Sequence, residues 1–177
     1  MSVDRLKSLI RTIPDYPRAG IRFRDVSTLL VDPDGFAESA ERMVSVAPQD
    51  VDLVAGIEAR GFLFAGAMAP KLGAGVLMVR KGGKLPGPAR GRDYALEYGV
   101  DRVEIHEGQV PAGARVLLVD DLIATGGTAL AACRLIEEAG GTMAGAVFLI
   151  DLPDLGGAQR LRDSGLDTQS LISFEGE

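Results

Sequence analysis

The chain has 177 residues, 46% of them hydrophobic, and a formal net charge of −6, which is enough length for one domain with a packed interior. No apolar run approaches the roughly 18 residues that a membrane-spanning helix needs, and the acidic balance argues against a general nucleic-acid binder, which relies on a basic surface. A single cysteine, Cys133, excludes an internal disulfide or a cysteine-based zinc cluster, and its setting in ALAACRLI reads as that of a small buried hydrophobe. The opening MSVDRLKSLI carries charges where a signal peptide has its apolar centre, so a cytoplasmic protein is expected.

Val3, Leu6, Leu9 and Ile10 share one face of a short helix behind Ser2 as a cap. IPDYPRAG, with two prolines and a glycine, reads as a loop. A second helix is expected after Asp34, because Phe36, Ala40, Met43, Val44 and Ala47 fall on one face. DLVAGI then reads as a short apolar strand, GFLFAGAMAPKL as a buried helix and GVLMVR as another strand, with a turn at LGAGV between the last two. Lys81 to Arg92 is rich in glycine and proline and has no apolar period, so a long functional loop is expected there. YALEYG and DRVEIHE read as a hairpin, with Val103 and Ile105 alternating against polar neighbours. RVLLVDD is a continuous apolar run ending in acids, as in a strand covered on both faces. The segment GGTALAACRLIEEAGG follows as a helix with Gly140 at its C-terminal cap, and AGAVFLID repeats the strand pattern. This alternation predicts an α/β fold, a mostly parallel sheet flanked by helices on both faces, in a single domain spanning residues 1–177.

Two features carry chemistry. Between Glu58 and Asp93 there is no acid, while seven cations occur there: Arg60, Lys71, Arg80, Lys81, Lys84, Arg90 and Arg92. An acidic protein with one basic interval is suited to holding an anion in it. In VLLVDDLIATGGT, Asp120 and Asp121 sit at the expected strand end, where ligands bind in such sheets. Carboxylates suit sugar hydroxyls. The residues that follow, Ala124, Thr125, Gly126, Gly127 and Thr128, offer backbone N–H groups at a helix N-terminus, which suit phosphate. The pair fits a phosphorylated sugar bridged by a divalent metal. Adjacent strand residues point to opposite faces, so both acids reach one ligand only if the chain is already turning. The lone histidine, His106, has no serine or cysteine partner for a hydrolase triad, and no Walker-type loop is present.

VLLVDDLIATGGT closely resembles the phosphoribosyl pyrophosphate signature of the type I phosphoribosyltransferases. GIRFRDVSTLLVDP, GIEARGFLFAG, VRKGGKLPG, YALEYGVDRVEIHEG and the terminal SLISF occur in the order found in the adenine-specific branch of that family, so the resemblance covers nearly the whole chain. It implies the type I phosphoribosyltransferase fold, with a small base-binding hood formed by about residues 1–34. It also implies transfer of a phosphoribosyl group to adenine, giving AMP and pyrophosphate with Mg²⁺ as cofactor. In the resembling positions, Ala124 to Thr128 would grip the 5′-phosphate, and Asp120 and Asp121 the ribose hydroxyls. Mg²⁺ would be held mainly by substrate, with Asp120 or Asp121 reaching it through water. Arg60, Lys81 and Lys84 would hold pyrophosphate, and Arg22 and Arg24 fall where the family contacts adenine, partly through backbone groups. Glu97 and Tyr98 match the catalytic loop, the glutamate handling the base's proton. A homodimer is implied, with no nucleic-acid or membrane partner. Three departures stand out: Ala59 replaces a common serine, Arg22 a commonly apolar residue, and Gly82-Gly83 a more constrained pair. A 6-oxopurine in place of adenine, or a non-catalytic regulator sensing phosphoribosyl pyrophosphate, are the competing assignments.

Overall fold

The computed structural model describes residues 2–95 and 99–176. Helix α1 (Val3–Ser8) starts where the Ser2 hydroxyl accepts the Arg5 N–H at 3.2 Å, satisfying one of the donors a helix start leaves over. Part of the expected loop is strand: β1 (Arg11–Pro14) and β2 (Arg22–Asp25) form a two-stranded antiparallel sheet, with Ile13 opposite Phe23. A turn of helix, α2 (Ser27–Leu30), leads to α3 (Pro33–Val46). This helix begins ahead of the expected position, because Asp32 is its cap, accepting the Gly35 N–H at 2.7 Å, and Pro33 occupies the first turn, where its missing N–H costs nothing.

The remaining elements alternate strand and helix except for four successive strands in the middle: β3 (Leu53–Ile57), α4 (Gly61–Leu72), β4 (Gly75–Lys81), β5 (Ala89–Ala95), β6 (Val100–His106), β7 (Arg115–Ile123), α5 (Gly127–Glu138), β8 (Thr142–Asp151), α6 (Gly157–Asp163) and β9 (Thr168–Ser173). The seven-stranded sheet runs β5-β6-β4-β3-β7-β8-β9, parallel from β4 to β9 and antiparallel at β6 and β5. Its two faces bury separate clusters. Ala55, Val116 and Leu118 pack with α5 and α6; Val54, Leu117 and Val119 pack with α1 to α4. The continuous apolar run of β7 is explained by this: successive side chains enter opposite cores, and both are dry. Cys133 is buried within the first cluster, and burial pushes its thiol up to about 12.

The expected loop over Lys81 to Arg92 is shorter, because Lys81 ends β4 and Ala89 already begins β5. The hairpin therefore pairs Ala89–Ala95 with Val100–His106, its first strand starting well before Tyr94. No apolar period marks β5 because its inward residues are polar: Arg90 donates to the Glu138 carbonyl, Arg92 pairs with the Glu138 carboxylate, and the Tyr94 hydroxyl accepts from Thr128 at 3.0 Å, all on α5. Helix α6 and strand β9 carried too little periodicity to be read. LGAGV is a turn, with Gly73 in the left-handed conformation closing α4, and Gly140, φ +102°, follows the end of α5.

Candidate active site

Strand β7 runs past its acids to Ile123, so the chain does not turn at Asp120 and Asp121 as a shared ligand would require. What changes there is the neighbour. Pairing with β3 ends at Gly56 opposite Val119, while pairing with β8 continues to Ile123 opposite Asp151. Beyond Val119 one edge of β7 therefore opens. A cavity of about 240 Å³ lies at this opening, lined by Glu58, Lys81, Asp120, the loop 124–128 and the apolar Ile57, Leu122 and Phe148. It sits at the carboxyl edge of the parallel sheet, where loops rather than ladder hydrogen bonds cover the strand ends.

The two acids part company as the pleat dictates. Asp120 lines the cavity and accepts the Asp121 N–H at 2.8 Å. Asp121 points to the other face, 3% exposed, and pairs with the Arg60 guanidinium. Burial first, and then the neighbouring Asp121 charge, hold the Asp120 carboxyl well above the usual carboxylate range. Gly61, first residue of α4, makes the close approach possible: a Cβ there would lie 2.9 Å from both Asp120 Oδ1 and the Val119 carbonyl. The arginine just ahead of that helix is thereby brought onto Asp121.

Residues 124–128 form the opposite wall. Helix α5 starts with Gly126 in the left-handed conformation and no side-chain cap, so its first N–H groups have no intrahelical acceptor and open on the cavity with the positive end of the helix dipole. That is an arrangement for an anion. A second contact fixes it: the Gly157 N–H donates to the Ala124 carbonyl at 2.9 Å, and a Cβ on Gly157 would lie 2.2 Å from that oxygen. The start of α6 thus props the loop from behind. Gly157 was missed in the sequence because nothing about DLGG at residues 154–157 announces a partner more than thirty positions upstream.

The cations of the acid-free interval do not act alike. Lys81 lines the cavity, its ammonium 2.6 Å from the Tyr94 hydroxyl and 2.5 Å from Asp101. Arg80 is committed to Glu58, Nε to Oε2 at 2.9 Å, and that guanidinium chiefly holds the Glu58 carboxyl below its ordinary range. The same carboxylate accepts the Lys81 N–H at 2.8 Å. Glu58, an acid at the border of the basic interval, is therefore part of the site, although no local pattern marks it as such. Its peptide bond to Ala59 is cis. Lys84 lies exposed on the loop between β4 and β5, and Arg90, Arg92 and Lys71 serve contacts elsewhere, with Glu138 and Glu41.

Residues 34–175 match the family model described as the phosphoribosyl transferase domain. The chain is 57% identical over 173 residues, covering 97% of it and 94% of the relative, to an adenine phosphoribosyltransferase of Sphingopyxis alaskensis. It belongs to the adenine phosphoribosyltransferase family. Among solved structures of that family, the enzyme of Thermoanaerobacter pseudethanolicus superposes with a TM-score of 0.92 at 44% identity, covering 98% of this chain and 100% of that one. The Giardia lamblia family member, complexed with 9-deazaadenine, gives a TM-score of 0.90 at 34% identity, covering 99% of each chain. The architecture above is accordingly the type I phosphoribosyltransferase fold.

Within this family fold, the N-terminal hairpin approaches the cleft through Phe23, which no sequence motif singles out. The Phe23 ring lies 6.0 Å from the Arg60 guanidinium, whereas the flanking Arg22 and Arg24 side chains take the other face of β2. Arg24 is buried, donates to Thr12 Oγ1 at 2.7 Å and stacks 4.3 Å from the Phe174 ring; Arg22 joins it in lining a separate cavity with Lys7 and Ser173. The structure thus does not bring these two side chains together with Asp120 and the 124–128 loop. The alternation of a strand explains it, and a hairpin assignment for GIRFRD would have placed Phe23 on the opposite face from both arginines. Glu97 and Tyr98 lie outside the described residues. No helix among the described residues is long and apolar enough to cross a membrane.

Proposed function

We propose that this chain makes AMP and pyrophosphate from adenine and phosphoribosyl pyrophosphate, a purine-salvage step. The observation that carries the proposal is the cavity whose one wall is Asp120 and whose other wall is the uncapped start of α5. In this assignment the N–H groups of residues 124–128 and the Thr128 hydroxyl hold the 5′-phosphate. Asp120 accepts from the ribose hydroxyls, and Asp121 acts through Arg60 rather than by touching the sugar. Lys81, Arg60 and Lys84 face the pyrophosphate. Fixed cations stabilise the negative charge of the departing group without reorganising as the anomeric bond breaks.

Mg²⁺ is assigned to arrive on the substrate, since this ion keeps most of its waters and takes one or two carboxylates beside phosphate oxygens. Asp120 and Glu58 line the same cavity and supply such oxygens. When bound, the ion would neutralise charge on the leaving pyrophosphate.

Adenine is assigned to the space between Phe23 and the cleft. The ring offers a flat apolar face. The outer edge of β2, a member of a two-stranded sheet, has main-chain donors and acceptors with no strand partner among the described residues, and these can match the amino donor and ring-nitrogen acceptor of the base. A 9-deazaadenine complex of a family member supports adenine over a 6-oxopurine. Glu97 is assigned the proton of N9 on the strength of its place in LEYG. A homodimer is part of the proposal: Leu63 on α4 and Val76 and Met78 on β4 are 49%, 46% and 41% exposed. Val76 and Met78 share a face of the strand next to that helix, and an exposed apolar surface of this kind suits a second copy of the chain.

The test supplies adenine, hypoxanthine, guanine and xanthine separately with phosphoribosyl pyrophosphate and Mg²⁺ and measures nucleotide formed. Turnover with adenine alone is expected. Turnover with only a 6-oxopurine would overturn the base assignment, and tight phosphoribosyl pyrophosphate binding with no turnover on any base would overturn the enzymatic one.

A further inference from the structure

The cavity-lining ammonium of Lys81 does not stand open to the cleft. It donates to Asp101 Oδ2 at 2.5 Å and to the Tyr94 hydroxyl at 2.6 Å. Tyr94 in turn donates to the same Asp101 oxygen at 2.6 Å and accepts from Thr128 Oγ1 at 3.0 Å. A phenolic oxygen has one proton and two lone pairs, and all three are engaged. Tyr94 and Asp101 are directly opposite each other in the β5–β6 ladder, so the arrangement rests on two rigid strands. Asp101 also accepts the Arg102 N–H at 2.8 Å, and with hydrogen bonds from Lys81 and Tyr94 its carboxyl is drawn down to about 2; it is ionised throughout the neutral range.

Both donors that Tyr94 and Asp101 engage are ones the proposed reaction needs elsewhere. Lys81 faces the pyrophosphate and Thr128 the 5′-phosphate. An ammonium has three donors; two are spent on the clasp, and its charge is balanced by a carboxylate at 2.5 Å. An incoming anion must therefore compete with Asp101 for Lys81. We propose that Asp101, held in place by Tyr94, is a positioning residue that acts as an internal counter-ion, weakening the grip of Lys81 on pyrophosphate and so promoting its release. This inference rests on the function proposed above for the identity of the anion, though not for the clasp itself.

The test titrates wild type, Asp101→Asn, Tyr94→Phe and Asp93→Asn with inorganic pyrophosphate and Mg²⁺ by calorimetry, and measures AMP formation in parallel. Asp93→Asn removes the same unit of charge from the same hairpin, but that carboxylate is exposed and paired with Arg102 at 2.8 Å. Asp101→Asn is expected to bind pyrophosphate about 3- to 10-fold more tightly, with a lower KM for phosphoribosyl pyrophosphate and a lower kcat, because the product leaves more slowly. Tyr94→Phe, which keeps the ring, is expected to shift in the same direction, and it carries the test if the Asn variant does not fold. Asp93→Asn is expected to change affinity less than about 2-fold. Unchanged or weaker pyrophosphate binding in both Asp101→Asn and Tyr94→Phe overturns the clasp, as does an equal effect of Asp93→Asn. A wild type that turns over no base, with pyrophosphate binding still tightened by Asp101→Asn, leaves the clasp standing and removes the functional proposal.

Discussion

Arg60→Gln isolates the contact that joins the two halves of the site. Asp121 has a side chain only 4% exposed, while that of Arg60 is 49% exposed. Removing one member of a fully buried ion pair costs about 3–5 kcal/mol, because the other is left charged and dry. Water already reaches half of this guanidinium, so the screened expectation is about 1–3 kcal/mol at pH 7. For a chain of this size that corresponds to a fall in Tm of about 3–10 °C. The pH dependence has a definite sign. Asp120 is already held above its ordinary value of 3.8 by burial and by Asp121, and Arg60 is one of the charges opposing that rise. Without Arg60 the Asp120 carboxyl is pushed higher. A carboxyl raised in the fold costs stability above its folded pKa, and the cost disappears as pH falls towards the unfolded value. The deficit should therefore shrink in acid, from its full size above the raised pKa towards nothing at about 3.8. Urea unfolding from pH 8 to pH 4 measures it, and the double variant Arg60→Gln/Asp121→Asn, which removes both members of the ion pair together, should recover most of the loss. Wild-type stability of Arg60→Gln at pH 7, or no recovery in the double variant, would refute the reasoning.

Gly157→Ala places a methyl 2.2 Å from the Ala124 carbonyl, so the loop or α6 must move; a loss of about 1–3 kcal/mol in urea unfolding with a raised KM for phosphoribosyl pyrophosphate is expected, and an unchanged KM would show that α6 does not shape the phosphate loop. Phe23→Ala should raise the KM for adenine by about 5- to 100-fold, the worth of one aromatic face against a base, leaving the KM for phosphoribosyl pyrophosphate near wild type. Glu97→Gln should lower kcat by about 10²- to 10⁴-fold, read in single-turnover experiments, while substrate affinity persists. Chelation with EDTA should abolish turnover and leave the unfolding curve in place, because the metal travels with the substrate; a chelator-induced drop in Tm would point to a resident site.

The chain by itself determined the two-sided sheet, the place of the acids and the phosphate loop. Those are local facts: an apolar run long enough to enter two cores, followed within a few residues by carboxylates and then by glycines at a helix start. The family resemblance added roles to the same positions. Tertiary structure alone decided which of these residues share a space. Asp120 and Asp121 are adjacent in the chain but take opposite faces, since β7 continues in register with β8 to Ile123. Phe23 turns towards Arg60 while Arg22 and Arg24 turn away, because a hairpin that the prolines of residues 13–20 concealed imposes a period of two. The contacts of Gly157 with Ala124, of Glu58 with the backbone of Lys81, and of Asp101 with the Lys81 ammonium were equally out of reach of the sequence. Each depends on a crossover or ladder that brings distant segments to one sheet edge, and no periodicity within either segment encodes where that edge will be.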